Sequence, residues 1–180
     1  MGKKRLLRMV QTALMLALLV SVQVLTKPGG QILTGSCVNG ILAVSALLIG
    51  PAWASVVALI SPILAFTLGI TPNVVIVPVI MLGNLTYVLL LGFLADARYS
   101  WRLALAVVGA SAAKFVVQYT LVSQVVCGVA AQWLIGQGVL KPPMLSVLTA
   151  MFSWPQLPTA LVGGILAGIV VPPIKKATQK

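Results

Sequence analysis

Lys114 stands inside an apolar stretch, residues 101–126, with Gln118 one helical turn further on the same face. At about 1.5 Å per residue, Lys114 lies roughly 20 Å into that stretch. An ammonium at that depth costs about 2.5–3.5 kcal/mol on insertion scales, so it usually faces a bundle interior and has a function there. The chain's sole acidic residue is Asp96, in a connection, so no membrane carboxylate can pair with Lys114. Two readings follow. Either an anionic group on a ligand is the partner, or the lysine stretches outward and bonds to backbone carbonyls.

Other polar side chains lie towards the same end of the helices. Asn39 sits about one turn into its helix, Asn84 near the middle of its own, and Gln156 at the mouth of the last one. Ser123 and Gln124 lie beyond Gln118, and the opposite halves are mostly aliphatic. The pattern predicts a polar cavity open to one side and closed by an apolar floor. Amides also hold membrane helices together, so Asn39, Asn84 and Gln118 are candidates for either role. Trp133 and Trp154 fit interfacial anchoring, and Trp154 could also stack on a ligand.

The absent residue types exclude several functions. There is no histidine, and no carboxylate in a membrane stretch to carry a coupling proton. There is no Gly-rich loop ending in Lys-Ser/Thr, and no triad or paired-carboxylate site can be assembled. The expectation is therefore a non-enzyme without cofactor or metal, whose energy comes from another subunit if it accumulates a solute. Cys37 and Cys127 have no metal-type spacing and read as isolated thiols. Both fall near helix ends on one side, which leaves a disulfide open.

These residues need a membrane scaffold. The 180 residues are 60% hydrophobic and 7% charged, outside the range of soluble domains. At roughly 20 residues per crossing, the chain is read as one all-α integral membrane domain. The expected helices span about 8–25, 36–50, 52–69, 74–95, 101–126 and 155–171. Thr26–Gly35 is expected as an outer loop broken by Pro28, Gly29 and Gly30, and Gly50-Pro51 and Gly69–Asn73 as turns. Pro62 is expected to kink the third helix. Residues 96–102 form an inner loop with Ser100 as a cap and Tyr99 and Trp101 as anchors. Residues 127–154 form an outer cap with one short helix.

The net charge of +11 does not indicate nucleic acid, because the basic residues sit at helix ends. Lys3, Lys4, Arg5, Arg8, Arg98, Arg102, Lys175, Lys176 and Lys180 all fall at the side assigned to the cytoplasm. Both termini are therefore cytoplasmic, in a six-transmembrane-helix bundle. The basic start and apolar run resemble a secretory signal, but no small-x-small cleavage pattern follows, so the segment is read as an uncleaved helix. Asn84-Leu-Thr86 matches the glycosylation sequon in mid-helix, where no enzyme reaches it. There is no fixed-period repeat.

On the first helix Ala13, Ala17 and Ser21 recur every fourth residue, a stripe against which another helix could pack closely in lipid. Similar spacings at Ala106/Ala110, Gly109/Ala113 and Gly164/Gly168 read as internal packing.

The six helices, basic tails and Ala13-x-x-x-Ala17 together resemble the substrate-binding S components of energy-coupling factor (ECF) transporters, vitamin-uptake systems of prokaryotes. The stretch Leu33-Thr-Gly-Ser-Cys-Val-Asn-Gly-Ile-Leu42, followed by Gly50-Pro51 and Ser61-Pro62-Ile-Leu-Ala-Phe66, is similar to their second and third helices. The resemblance implies a solute-binding subunit in a cell membrane whose Ala-x-x-x-Ala face docks on a transmembrane T subunit carrying two ATPases. It further implies that the subunit topples in the membrane to carry its ligand inward. No signature assigns the solute. A stand-alone facilitator or small channel, using the small-residue faces for self-association, and a non-transporting scaffold are the alternatives.

Overall fold

The computed structural model describes residues 2–95 and 100–178. Among them are six long helices: α1 (Lys3–Thr26), α2 (Gly30–Leu48), α3 (Pro51–Thr67), α4 (Ile76–Leu94), α5 (Ser100–Thr120) and, after the short α6 (Ala131–Gly136) and α7 (Pro142–Met151), α8 (Gln156–Thr178). A π-helix, Leu121–Val129, continues α5. Asp96, Arg98 and Tyr99, and the side chain of Ser100, lie outside the described residues.

Three boundaries differ from the sequence-based expectation. The first reversal is no ten-residue loop: Lys27–Gly29 makes one 3-10 turn and α2 starts at Gly30. Gly30 adopts φ 81°, a left-handed conformation open to glycine, so one residue redirects the chain. α8 does not stop at residue 171 but continues through Pro172 and Pro173 to Thr178. Proline holds φ near the helical value, so the pair removes hydrogen bonds to Gly168 and Ile169 while the chain keeps its course. The outer cap holds two short helices rather than one. At ten residues, α7 is about 15 Å long, half the thickness of a bilayer core, so it belongs to the cap and is no seventh crossing. Pro62 lies within α3, which continues to Thr67.

α2 is the central helix, packed on α1, α3, α4 and α8. Glycines set its closest approach: a Cβ at Gly163 would lie 2.6 Å from the backbone of Asn39. Gly164 likewise admits Val107 and the Tyr87 hydroxyl, and Gly92 admits Pro51. Ala106 and Ala110 are buried in the bundle, but Gly109 faces outward with nothing near it, against the internal packing expected of it. It lies about 100° round the helix from Ala110.

Apolar packing forms two clusters. One fills the bundle between α1, α2, α3, α4, α5 and α8 around Leu42, Ala43, Val57, Tyr87, Val88 and Leu91. The other joins Ile76 and Val79 of α4 to Val122 and Val126 of the π-helix and to Leu134, Leu148 and Phe152 of the cap. The start of α1 and the end of α8 lie at the end away from the cap. There Arg8 donates to the Leu48 carbonyl at 2.8 Å, and Arg8, Gly50, Gly92 and Lys175 border one recess. That bond places a cation on the last turn of α2, where the helix dipole favours it.

Candidate solute-binding site

Between the two apolar clusters lies a cavity of about 290 Å³. It is walled by the end of α1, the first half of α2, the end of α3, the start of α4, the second half of α5, the close of the cap and the start of α8. All these segments belong to the half of the bundle remote from the start of α1 and the end of α8, and the first apolar cluster closes the space below.

Lys114 forms the floor and is 3% exposed. Its Nζ donates to Asn39 Oδ1 at 2.5 Å and to Asn84 Oδ1 at 2.7 Å. It also stands 5.4 Å from the centre of the Tyr87 ring, within cation–π range. Tyr87 is fixed by donating its hydroxyl to the Ala160 carbonyl at 2.7 Å. Asn39 Nδ2 reaches Thr159 Oγ1 at 3.3 Å. The Lys114 Nζ is thus held by neutral dipoles from α2 and α4, with no acidic group among its partners in the described residues. An ammonium has three donors, and two of them serve the asparagines.

Gln118 lies above Lys114, is 1% exposed, and its Oε1 has no partner. It occupies space that a Cβ at Gly83 would fill, with Gln118 Cγ 2.3 Å from that position. Three more residues that border the same cavity carry a buried oxygen without a partner: Gln23 at Oε1, Thr34 at Oγ1 and Ser61 at Oγ. In lipid a helical hydroxyl commonly bonds the carbonyl four residues back. Thr12, Thr26, Ser45, Ser55 and Thr86 do so here. Thr34 and Ser61 do not.

A half-open cavity above a buried lysine thus lies within an all-helical bundle of long apolar helices. The family described as ECF transporter, substrate-specific component, matches residues 7–175. The chain belongs to that family. Neither the curated proteins nor the solved structures contain a match to it. As an ECF substrate-specific component it is a multi-pass membrane transporter subunit and not an enzyme.

In this substrate-specific component Lys114, Gln118, Asn39, Asn84 and Gln156 all border the cavity. Gln156 Nε2 donates to the Met151 carbonyl at 3.1 Å, and Gln31 Nε2 donates to the same oxygen. Trp154 stands apart: it is 67% exposed and does not border the cavity. The turn between α7 and α8 directs the buried Phe152 inward in its place. Asn84 is buried against Lys114, in keeping with the dismissal of the sequon. Cys37 and Cys127 are both free thiols.

Ala13, Ala17 and Ser21 are all exposed, while Thr12, Leu19 and Gln23 form the buried face of α1. At 100° per residue the small stripe points away from the bundle core. Sequence reasoning missed Gln23, Lys27, Gln31, Thr34, Ser61 and Thr71 as cavity residues. A signal was present for two of them. Gln31, Thr34, Gly35, Val38 and Asn39 follow the i, i+3, i+4, i+7, i+8 spacing of one helix face, running through the segment read as a loop.

Proposed function

We propose that this protein captures a small anionic solute from outside the cell in the cavity above Lys114. Delivery inward then follows docking of α1 on a transmembrane T subunit that carries two ATPases. The observation that carries the reading is Lys114: among the described residues its Nζ is buried, held by amide oxygens and an aromatic face, and borders a cavity with no acidic lining residue. A carboxylate or phosphate entering the cavity would supply the missing opposite charge in a low-dielectric setting. The unpartnered groups above it supply further contacts.

The exposed small-residue stripe supports the docking half of the proposal. Small side chains let a second helix approach to backbone distance in lipid, where packing rather than hydrophobicity drives association. The floor argues against a through-pore, because Leu42, Val57, Tyr87 and Leu91 fill the bundle beneath the lysine. The test is purification from cells growing in rich medium, with mass spectrometry of molecules released on denaturation and of co-purifying subunits. An anionic small molecule together with a T subunit and ATPases is expected. Recovery of neither, from protein shown to be folded, would overturn the reading.

A further inference from the structure

We infer that the solute is a small aliphatic acid, its carboxylate at Lys114 and its body bearing hydroxyl or amide groups, rather than a flat aromatic acid. This rests on the proposed capture function and narrows it to a substrate class. The first support is the shortage of rings. Among the described residues Phe152 is the one aromatic side chain bordering the cavity, at the cap, and Trp133 and Trp154 are both exposed and outside it. The Tyr87 ring faces the Lys114 ammonium from below and is tied to Ala160. The apolar walls are otherwise aliphatic, formed by Val38, Pro62, Ala65, Ile70 and Ile80. A planar ring would find Phe152 at the cap as its one stacking partner among the described residues, and aliphatic walls elsewhere.

The second support is the placement of the cavity residues that carry unpartnered oxygens. Gln118 lies four residues beyond Lys114, about 6 Å higher on the same wall. Thr34 lies five residues before Asn39, about 7.5 Å above the floor on α2. Ser61 and Gln23 complete this belt from α3 and α1. Two amide oxygens accept, and two hydroxyls both donate and accept. A ligand that satisfies such a belt from several sides needs donors and acceptors distributed along a flexible body. A ring offers them only in its own plane.

The test uses the full-length protein in nanodiscs. The molecule released on denaturation is identified by mass spectrometry. Protein freed of it is titrated by calorimetry with N-acetyl-β-alanine, its uncharged carboxamide, and benzoate. An aliphatic hydroxy or amide acid is the expected released molecule. N-acetyl-β-alanine should bind at least tenfold more tightly than either other probe, and Ser61→Ala and Gln118→Met should each weaken it several-fold. An aromatic acid released from the wild type and absent from Lys114→Met, or benzoate binding at least as tightly as the amide acid, would overturn the substrate class and leave the capture function standing. No released molecule and no binding of any probe would overturn both.

Discussion

A Cβ placed on Gly163 of α8 would lie 2.6 Å from the backbone of Asn39 on α2. That contact sets where Asn39 stands, and the Asn39 side chain in turn holds Lys114. Packing between α2 and α8 and the chemistry of the floor are therefore one arrangement. Gly163→Ala should separate the helices, with an overpacking penalty of about 1–3 kcal/mol. Thermal unfolding in detergent should show the loss, and ligand affinity should fall with it. An unchanged midpoint together with unchanged affinity would mean that α2 and α8 can part without disturbing Asn39.

Lys114→Met removes an expensive intramembrane charge but leaves Asn39 Oδ1 and Asn84 Oδ1 without their donor. The two effects oppose each other, and each unpaired buried oxygen costs about 1–3 kcal/mol. Stability should change modestly, while affinity for the solute should fall by about 2–5 kcal/mol, the usual consequence of leaving a buried charge unmatched. Lys114→Arg should also fail, because a planar fork does not replace a compact ammonium between two amides. Calorimetric titration of folded wild-type and Met proteins with the released solute decides the matter. Equal affinities would remove Lys114 from the site and the anionic substrate with it.

The membrane bundle and the floor of the cavity were legible because both rest on strong signals. Hydropathy and positively charged ends define helices in lipid, and a lone lysine among aliphatic residues stands out. Its pairing with Asn39 and Asn84 was not legible, because α2, α4 and α5 meet only through tertiary packing. Gln31 and Thr34 were hidden by Gly29 and Gly30, which read as loop formers although Gly30 completes a tight turn and opens α2. Trp154 misled for a related reason: composition gives a tryptophan at the cavity mouth, but only the turn after α7 decides that Phe152 points in and Trp154 out.

Lys27 donates to the Gly69 carbonyl at 2.9 Å and borders the cavity, bridging the α1–α2 turn and the α3–α4 turn. Both ends of this bridge are exposed residues in connections. Lys27→Met should therefore leave unfolding within about 0.5 kcal/mol of wild type, as surface changes usually do. Solute association and release should both become faster if the bridge restrains the mouth. Stopped-flow binding to the purified protein checks this, and unaltered rates would show that the two turns do not limit access.

In proteoliposomes containing this chain alone, solute should bind without accumulating, under either a proton or a sodium gradient. Among the described residues no carboxylate or imidazole borders the cavity to couple either ion. Filter-binding assays with labelled solute, with and without an ionophore, separate the outcomes. Accumulation that the ionophore abolishes would identify a secondary transporter with a coupling site elsewhere in the bundle.

The exposed stripe of α1 can be tested independently of the cavity. Ala13, Ala17 and Ser21 face outward, while Leu19 and Gln23 on the opposite side contribute to the core and the cavity wall. Ala17→Trp should therefore leave the cavity intact, so affinity for solute in the isolated protein should match wild type. Its bulk would hold a partner helix several ångströms off the backbone, which removes the close packing on which association in lipid depends. Cellular uptake and co-purification of the T subunit should both fall at least tenfold. Ala17→Gly, which keeps the face small, should retain both. Loss of solute binding in the Trp variant would instead make the stripe a packing face of this chain, and the T subunit would then have to dock elsewhere.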